Sequence, residues 1–330
     1  MKVVITGGTG FIGRMLARRI LQLGQLTGPA GAPEPVDEIV LFDAVEPPGP
    51  LPGLDHRARV VVGDISSRAQ VFDLIDRDDI AVFHLASVVS GGGELDFDLA
   101  LRVNLTGGLN VLEALRARSG APRLVFASSV AVFGGAAMPK VVGDTTKQTP
   151  QTTYGATKAI GELLINDYTR KGFLDGRAAR LPTIVVRPGR PNLAASSFAS
   201  GVVREPLNGE PCVLPVPVET RMPVLGYRSA AEGFVRLHEV PGAALGDDRA
   251  INFPSLSVTV AEIIAALRRV ADGRALGPIT AAPDPAIEAI VATWPTQTEF
   301  ARAAALGLPI EASPDEIVRA YMEDFVDEPH

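Results

Sequence analysis

Short apolar runs alternate with longer amphipathic segments along the first half of the chain. The runs are rich in Val, Ile and Leu, and they lie at Val3–Thr6, Ile39–Asp43, Val60–Gly63, Ala81–Leu85, Leu124–Ser128 and Thr183–Arg187. Runs of this length without polar alternation are typical of strands that are covered on both faces. The pattern therefore predicts six buried strands.

Apolar residues at helical spacing fill most of the stretches between these runs. The predicted helices are Phe11–Leu23, Ser67–Arg77, Phe97–Arg118 and Thr153–Lys171. Strands joined by helices form βαβ units, whose strands are parallel. We therefore expect an α/β fold with a doubly wound parallel sheet of the Rossmann type.

Two regions depart from this alternation. The segment Gly24–Glu38 is rich in Gly, Pro and Ala, and it predicts an irregular surface connection. In the second half, prolines are scattered from Pro182 to Pro223, and helices separated by loops follow. Capping-box sequences at Thr259–Glu262 and Ser313–Glu316 predict that helices begin there.

These changes suggest two domains. We expect residues 1–180 to form the sheet domain, with parts of 215–255 returning to it. Residues 181–330 are expected to form mainly a smaller lobe over the carboxyl ends of the strands, where α/β proteins bind ligands.

The composition excludes several classes of protein. The 330 residues are 46% hydrophobic, enough for a large core, and the net charge of -7 predicts neither a nucleic acid nor a membrane partner. Cys212 is the single cysteine, which excludes an intrachain disulfide, and we expect no metal site. No signal sequence is recognisable and no apolar run approaches about 20 residues, so we expect a soluble cytoplasmic protein.

The segment TGGTGFIG lies between the first predicted strand and the first predicted helix. Gly7 permits a tight turn, Gly10 leaves room for a pyrophosphate near the backbone, and Gly13 lets the helix pack closely on the strand. The free N–H groups at the start of the helix attract the anion. The segment predicts a dinucleotide site; a plain strand-to-helix turn is the alternative.

Asp43 ends the second predicted strand. A carboxylate there accepts hydrogen bonds from the ribose hydroxyls of NAD and repels the extra phosphate of NADP. Asp43 follows Gly13 by more than the usual roughly 20 residues, and the insertion Gly24–Glu38 explains the excess. We expect NAD as the cofactor; an Asp that only stabilises a turn is the alternative.

Tyr154 and Lys158 lie four residues apart in a predicted helix and share one face. A lysine ammonium beside a phenol, together with the nicotinamide cation, favours the phenolate and lowers the tyrosine pKa from about 10. Ser129 ends the fifth predicted strand, where its hydroxyl can orient a substrate oxygen, and Ser128 competes for that role. These residues predict an acid–base site; an exposed tyrosine and a solvated lysine are the alternative.

The order of these motifs resembles that of the extended short-chain dehydrogenases, relatives of the nucleotide-sugar epimerases and dehydratases. Beside the residues above, the resemblance includes the segments GDI (63–65), HLAS (84–87), VNLTGG with Asn104, and VVRPG (185–189). It spans nearly the whole chain and is strongest over residues 1–190. It implies that the sheet domain binds NAD.

The resemblance also implies roles for single residues. Ser129, Tyr154 and Lys158 would form the catalytic set, with Tyr154 as acid and base and Lys158 also holding the nicotinamide ribose. The further cofactor contacts that it implies are Phe11, Ile12, Asp64, Ile65, Leu85, Ala86, Ser87, Asn104 and Pro188. For Asp64, a strand-end carboxylate without a ligand is the alternative, and we interpret His84 as a packed strand residue rather than a base.

Departures from the nucleotide-sugar enzymes indicate a different substrate. Those enzymes carry Asn three residues after the arginine of the sixth strand, where this chain has Arg190. Their RDYVHVDD-like stretch corresponds at best to RMPVLGYR, in which the roles of Arg221 and Arg228 stay open. The planar guanidinium of Arg190 suits a carboxylate, with Ser90 and Asn192 as further substrate-binding candidates. A surface ion pair is the alternative for Arg190.

Those departures, with the segments HLASVVSGGGELDFDLALRVNL and VVRPGRPNLAASSFASGVVREPLNGE, resemble the D-erythronate dehydrogenase branch of the family. The resemblance implies NAD-dependent oxidation of the 2-hydroxyl of a small sugar acid to the 2-oxo acid. A nucleotide-sugar epimerase or dehydratase is the alternative; a dehydrogenase for another small alcohol, such as a hydroxy amino acid, and a non-enzymatic NAD sensor also stay open. By analogy with the family, we expect a homodimer that pairs through Phe97–Arg118 and Thr153–Lys171.

Overall fold

A seven-stranded sheet is the centre of the computed structural model, which describes residues 1–190 and 194–327. The strands of the described residues are β1 (Lys2–Thr6), β2 (Gln25–Thr27), β3 (Pro33–Pro35), β4 (Glu38–Asp43), β5 (Ala58–Val62), β6 (Ile80–His84), β7 (Arg123–Ser129), β8 (Val141–Val142), β9 (Asp175–Leu181), β10 (Thr183–Val185), β11 (Cys212–Leu214), β12 (Arg221–Gly226), β13 (Ala250–Asn252), β14 (Leu256–Thr259), β15 (Ile279–Ala281) and β16 (Gln297–Thr298). The α-helices of the same residues are α1 (Phe11–Leu23), α2 (Arg68–Leu74), α3 (Ser90–Leu95), α4 (Phe97–Ala100), α5 (Gly107–Arg116), α6 (Thr153–Arg170), α7 (Ser197–Leu207), α8 (Tyr227–Glu239), α9 (Gly242–Leu245), α10 (Val260–Ala271), α11 (Pro285–Val291), α12 (Ala301–Ala305) and α13 (Pro314–Met322).

The central sheet has the strand order β13-β9-β7-β6-β1-β4-β5, and every neighbouring pair is parallel. Alternate residues of β1 enter two different cores: Val3 and Ile5 pack with α1 and α8, whereas Val4 packs with α2 and α5. Because helices cover both faces, most of these strands are apolar runs without polar alternation, with β9 (DGRAARL) as an exception. The predicted fold class, a doubly wound parallel sheet, is confirmed.

The sixth predicted strand, Thr183–Arg187, is wrong as a strand of this sheet. β10 pairs instead with β12 in a separate three-stranded sheet. The place beside β7 belongs to β9, in which Arg177 and Arg180 are both buried. Arg177 forms an ion pair with Asp175, and Arg180 forms one with Glu162. A strand whose buried positions are arginines has no apolar signal, so sequence analysis missed it.

The predicted helix Phe97–Arg118 is helical as far as Arg116 but is not uniform. Between α4 and α5, residues Leu101–Thr106 form a π-helical turn that contains the buried Asn104. Such turns are frequent at functional sites. The other helices predicted in this half are confirmed by α1, α2 and α6, although α2 ends at Leu74.

The insertion Gly24–Glu38 is more regular than its composition predicts. β2 and β3 form an antiparallel hairpin within it, and Leu26 and Val36 are buried in the core beside α1. Glu239, at the end of α8, accepts hydrogen bonds from the backbone N–H (3.0 Å) and the hydroxyl (2.6 Å) of Thr27. Tertiary contacts thus order a segment whose local sequence predicts an irregular connection.

The second half of the chain builds a smaller lobe. Its apolar core gathers residues of β10, β12, α7, α10 and α13. Phe11 and Ile12, the first residues of α1, pack against this core, so the lobe lies next to the carboxyl end of β1. β13 returns to the central sheet, and α8 packs on it beside α1. The domain boundaries, 1–180 with parts of 215–255 and 181–330, stay a prediction.

Both helix starts predicted in this lobe are confirmed, but only one has the predicted cap. Thr259 and Glu262 form a reciprocal capping box at the start of α10. α13 begins at Pro314, yet the side chain of Ser313 accepts no capping hydrogen bond. Glu316 instead accepts a backbone N–H from the residue before that serine (2.8 Å).

Candidate active site

Many of the predicted functional residues gather at one edge of the central sheet. The glycine segment follows β1, Asp43 ends β4, Leu85 follows β6 and Ser129 ends β7. Since the strands are parallel, their carboxyl ends share this edge. β1 lies between β4 and β6, where the strand order reverses, which is the position at which open α/β sheets bind ligands.

The glycine segment has the geometry of a phosphate-binding turn. Gly7 has a φ of +67°, which L side chains rarely adopt. A Cβ on Gly13 would lie 2.6 Å from the carbonyl oxygen of Gly7, so α1 reaches the turn only because Gly13 has no side chain. Gly10 precedes α1, and no side chain of the described residues caps this helix, which leaves its first N–H groups to bind an anion.

Asp43 lies beside this turn. Its Oδ2 accepts hydrogen bonds from the backbone N–H (3.1 Å) and the hydroxyl (2.7 Å) of Thr9, and its Oδ1 accepts from the N–H of Ala44 (2.9 Å). A carboxylate has about four acceptor positions, so capacity is left for a ribose hydroxyl. The residues present therefore fit NAD, with the turn at Gly7 for the pyrophosphate and Asp43 for the adenosine ribose. Sequence analysis missed Thr9, because a threonine inside a glycine segment has no signal of its own.

Asp64 and Ile65 have different surroundings. Asp64 is exposed, and its Oδ1 accepts hydrogen bonds from the N–H (2.8 Å) and the hydroxyl (2.7 Å) of Ser66, which lower the pKa of the carboxyl. Ile65 is buried, and its carbonyl accepts from the side-chain amide of Asn110 (3.2 Å). These bonds stabilise a turn, and contact of either residue with adenine stays a prediction.

The end of β6 is held by Thr6. Its carbonyl accepts the N–H of Leu85 (3.0 Å), and its hydroxyl accepts the N–H of Ala86 (3.2 Å) and lies 2.7 Å from Nδ1 of His84. The ring of His84 stacks on Phe126, and burial lowers the pKa of His84 to about 3. His84 is thus a neutral, packed residue and not a base at physiological pH.

Asn104 connects this segment to α6, the helix that contains Tyr154. Its Oδ1 accepts hydrogen bonds from the hydroxyl of Ser87 (3.1 Å) and the N–H of Val88 (2.7 Å). Its Nδ2 donates to the hydroxyl of Thr157 in α6 (3.2 Å). Asn104 therefore supports the backbone around Ser87, and direct contact of Asn104 with NAD stays a prediction.

The structure brings Ser129, Tyr154 and Lys158 together between the end of β7 and the start of α6. The hydroxyl of Ser129 lowers the pKa of the Tyr154 phenol. Nζ of Lys158 lies 5.3 Å from the centre of the Tyr154 ring and 4.7 Å from that of Phe126. Thr152 caps α6 and so fixes the position at which this helix begins.

Burial controls the protonation of this group. It raises the pKa of Tyr154, while the hydrogen bond with Ser129 and the positive charge of Arg187 act in the opposite direction. Burial also lowers the pKa of Lys158 to about 7, while the carboxylate of Glu162 acts in the opposite direction. A lysine that titrates near neutral pH beside a phenol is suited to assist proton transfer.

The two adjacent serines of β7 face opposite sides of the strand. The hydroxyl of Ser128 is buried and donates to Glu162. Ser129 accepts the N–H of Ala131 (3.2 Å), and its hydroxyl lowers the pKa of Tyr154. The structure therefore places Ser129, and not Ser128, against the tyrosine hydroxyl.

Glu162 and Arg180 form a buried ion pair behind Lys158, with exposed fractions of 2% and 3%. Arg180 donates from Nε (3.0 and 3.1 Å) and from Nη2 (2.8 Å) to the carboxylate. Gln148 also donates to Glu162. The pair joins α6 to β9, and sequence analysis missed it because its members lie in different elements.

Ser90 lies at the start of α3, which packs on the start of α6. A Cβ on Gly93 would lie 3.7 Å from the backbone nitrogen of Tyr154, and Glu94 accepts the N–H of Thr153 (2.9 Å). These contacts place the glycine-rich segment beside Tyr154. A role of Ser90 in substrate binding stays a prediction.

The loop after β10 contains two arginines in different environments. Pro188 is partly buried and Arg190 is exposed, while Asn192 lies outside the described residues. Arg187 is partly buried, and its charge interacts with the phenol of Tyr154. Nothing in the order of residues predicts that Arg187 is the more buried of the two arginines.

Arg221 and Arg228 both hold elements of the second lobe together. Arg221 donates to the carbonyl of Ser257 (2.8 Å) and pairs with Glu262 (3.5 Å). Arg228 pairs with Glu323 (2.8 Å) in the π-helical turn after α13.

No helix within residues 1–190 and 194–327 is long and apolar enough to cross a membrane.

Known proteins resemble this chain over nearly its full length. Residues 3–250 match the sequence profile of the NAD dependent epimerase/dehydratase family. A D-erythronate dehydrogenase from Cupriavidus necator is 51% identical over 324 residues, which are 98% of both chains. One from Haemophilus influenzae is 39% identical over 323 residues, 98% of this chain and 99% of that protein.

A solved structure shares the fold. The crystal structure of a nucleoside-diphosphate-sugar epimerase from Agrobacterium tumefaciens matches with a TM-score of 0.90 and 39% identity, and the match covers 99% of this chain and 95% of that chain. The predicted resemblance and the prediction of NAD as cofactor are thereby confirmed. The chain belongs to the NAD dependent epimerase/dehydratase family.

Proposed function

We propose that the protein oxidises the 2-hydroxyl of a small sugar acid of the D-erythronate type to the 2-oxo acid, with NAD as the oxidant. The observation that carries the proposal is the group of Ser129, Tyr154 and Lys158: Nζ of the buried Lys158 lies 5.3 Å from the centre of the Tyr154 ring, and the hydroxyl of Ser129 lowers the pKa of Tyr154. The class of substrate comes from the two relatives that are named D-erythronate dehydrogenase.

The residues of this chain orient the substrate and move its proton. Ser129 holds the 2-hydroxyl, and the phenolate of Tyr154 takes the proton from that hydroxyl at Oη. When bound, NAD supplies the acceptor for the hydride that leaves the same carbon. Because burial raises the pKa of Tyr154, the phenolate needs positive charge; Arg187 acts in this direction, and the protonated form of Lys158, 5.3 Å from the ring centre, would add to it.

A nucleotide-sugar epimerase or dehydratase is the second candidate. It is favoured by the Agrobacterium tumefaciens structure, which is described as a nucleoside-diphosphate-sugar epimerase. Arg190 weighs against it, since nucleotide-sugar enzymes of the family carry an asparagine at that position. The sugar acid is therefore the first choice.

Steady-state kinetics separate the two candidates. We would measure NADH formation with D-erythronate, L-threonate, L-threonine and UDP-glucose. D-Erythronate is expected to give a kcat/KM at least about tenfold above the others, since a difference of about 1.4 kcal/mol in transition-state binding produces that factor. Epimerisation of UDP-glucose without net formation of NADH, and no oxidation of the acids, would establish the second candidate.

The proposal includes a homodimer in the cytoplasm. α5 and α6 expose Leu109, Ile160 and Leu163, and 64% of Leu163 is accessible in the single chain. An apolar surface of this kind is expected to be covered by a second copy. Sedimentation should give a dimer for the unmodified protein and a monomer for Leu163→Glu, and cell fractionation should recover the activity with the cytoplasm. A monomeric unmodified protein would contradict the proposed assembly.

A further inference from the structure

A buried carboxylate, that of Glu162 in α6, is bound by side chains from three other parts of the fold. Arg180 of β9 donates to it from Nε (3.0 and 3.1 Å) and from Nη2 (2.8 Å). Ser128 of β7 and Gln148 of the loop after β8 each donate a further hydrogen bond. These donors fill the roughly four acceptor positions of a carboxylate, so Glu162 acts within the protein and not on a ligand.

Two of these donors come from neighbouring strands at the same level of the sheet. The Cα atoms of Ser128 and Arg180 are direct partners in the register of β7 and β9. Side chains at partnered positions of two strands lie on the same face of the sheet. Both side chains therefore extend towards α6 and meet at Glu162, which joins two strands and one helix at a single point.

The same side of α6 contacts β7 one helical turn earlier. Lys158 and Glu162 lie four residues apart and are each 2% exposed. Nζ of Lys158 lies 4.7 Å from the centre of the Phe126 ring, and a Cβ on Gly161 would lie 2.9 Å from that ring. Phe126 precedes Ser128 by two residues in β7 and so shares its face of the strand. Helix and strand are thus in close contact at two successive levels.

We infer that the carboxylate of Glu162 positions Ser129 for proton transfer, by binding the hydroxyl of the adjacent Ser128. The inference rests on the proposed function, in which Ser129 and Tyr154 act on the substrate hydroxyl. Ser129 follows Ser128 directly and projects from the opposite face of the strand, so a bond that holds Ser128 also fixes the backbone of Ser129. Misplacement of a reacting group by about 1 Å costs up to about 10²-fold in rate.

Glu162 also supports the site through its charge. Burial lowers the pKa of Lys158, and the carboxylate one turn away acts in the opposite direction. Arg180 keeps this carboxylate in place, since its Nη1 donates in addition to the carbonyl of Asp144 (2.9 Å). Glu162 is therefore held from the strands while it holds the strand end that carries Ser129.

The first test is Ser128→Ala, which breaks the bond to Glu162 and keeps the ion pair with Arg180. With saturating NAD, kcat/KM for D-erythronate should fall by about tenfold, which corresponds to about 1.4 kcal/mol of transition-state stabilisation. The rate is referred to the concentration of NADH-binding sites, measured by fluorescence titration, so that unfolded protein is not counted. The affinity for NADH should stay within about twofold, because the glycine turn and Asp43 are unchanged.

Ser255→Ala is the matched control. Ser255 is buried like Ser128, its hydroxyl lies 2.6 Å from that of Thr298, and neither residue of this pair belongs to β7 or α6. Each variant loses one buried hydrogen bond, so both should lower the melting temperature by similar amounts. Ser255→Ala should keep kcat/KM within about twofold. An equal loss of kcat/KM in the two variants would overturn the inference, as would an unchanged kcat/KM in Ser128→Ala.

A double-mutant cycle tests whether Glu162 acts through Ser128. Glu162→Gln leaves Arg180 without its counter-charge, so it is combined with Arg180→Met to keep the charge balanced. Adding Ser128→Ala to this pair should lower kcat/KM by a much smaller factor than in the unmodified protein, because the bond is already lost. The full tenfold loss in both backgrounds would show that Ser128 acts independently of Glu162 and would overturn the inference.

Failure of the proposed function has a different signature. An unmodified protein that oxidises no sugar acid but acts on UDP-glucose would refute the function, and the same variants would then be compared with UDP-glucose as the substrate. An unmodified protein that oxidises D-erythronate, with a Ser128→Ala variant that is equally active per binding site, would refute the inference alone.

Discussion

Arginines lie both below the amino ends of the central strands and above their carboxyl ends. The two regions differ in whether protein groups neutralise the arginine charges. At the amino end, Arg123 and Arg177 both donate to the carbonyl of His238 at the end of α8, and both pair with Asp175. At the carboxyl end, Arg187 has no carboxylate partner among the described residues. Protein groups therefore neutralise the first cluster, whereas no carboxylate of the described residues neutralises Arg187.

The difference shows how the surroundings of a buried charge decide its role. The last carbonyls of a helix lack partners within the helix and carry partial negative charge, so two arginines stabilise the end of α8. Asp175 also pairs with Arg249 (3.0 Å). The carboxylate of Asp175 is thus shared by three arginines. A buried cation that protein partners neutralise, such as Arg177, joins elements of the fold.

The largest expected effect is a loss of activity from a change in the carboxyl-end region alone. Tyr154→Phe removes only the phenolic oxygen, so kcat should fall by about 10²- to 10⁴-fold while NAD binding and the melting temperature change little. Tyr168→Phe removes the same atom from the same helix, where the hydroxyl donates to Glu113, and should keep activity within about twofold. Substantial turnover in Tyr154→Phe would show that another residue moves the proton.

The next effect is a loss of stability from a change in the amino-end region alone. Asp175→Asn leaves three arginines around a neutral side chain and should reduce the free energy of unfolding by about 3–5 kcal/mol, with kcat/KM unchanged where the protein is folded. Asp315→Asn is the control: the side chains of both aspartates are 23% exposed, but Asp315 pairs with the exposed Arg269, a pair worth about 0–1 kcal/mol. Urea unfolding measures both, and equal losses would contradict the comparison.

A smaller effect is a change in the free energy of unfolding that depends on pH, caused by Lys158 in the carboxyl-end region. Burial lowers the pKa of Lys158 to about 7, whereas in the unfolded chain it is about 10.4. Between these values the unfolded chain binds one more proton, so the burial of Lys158 destabilises the protein fully below pH 7, and this penalty disappears as the pH rises. Lys158→Met should therefore raise the free energy of unfolding by roughly 2–4 kcal/mol more at pH 6 than at pH 10.

Lys171→Met provides the control for that measurement, since Lys171 is exposed just after the end of the same helix. Its effect on the free energy of unfolding should be small and independent of pH. A Lys158→Met effect of the same size at both pH values would show that burial does not shift the pKa of this lysine.

The smallest effect concerns a carboxylate at the carboxyl edge. Asp43 is held by neutral donors of Thr9 and Ala44, unlike Asp175, which cations surround. Asp43→Ala should narrow the preference for NAD over NADP by about tenfold, about 1.4 kcal/mol, because the repulsion of the NADP phosphate is lost. Asp55→Ala, an exposed carboxylate paired with Arg57, should leave the preference unchanged. Equal kcat/KM for NAD and NADP in the unmodified protein would refute the expectation.

Much of the first half of the fold was predictable because its signals are local. Apolar runs and helical spacing identified β1, β4, β5, β6 and β7. β9 could not be identified, because Arg177 and Arg180 are buried only through partners on α8 and α6. The hairpin of β2 and β3 also depends on a distant group, the carboxylate of Glu239.

The candidate site divides in the same way. The approach of Tyr154 and Lys158 follows from their spacing of four residues in one helix, and the turn at Gly7 follows from the absence of a side chain. The contact between Ser129 and Tyr154 required the packing of α6 on β7. The supporting roles of Asn104 and Glu162 likewise became visible only in the packed structure.

The sequence by itself determined the parallel sheet, the glycine turn and the shared face of Tyr154 and Lys158, because periodicity and spacing act within a few residues of the chain. Only the tertiary structure decided that Arg187 is partly buried while Arg190, in the same loop, is exposed. It also decided which charges are neutralised, as between Arg177 and the carbonyl of His238, 61 residues away. Burial and ion pairing join groups that are far apart in sequence, and whether a buried charge is structural or functional depends on those partners.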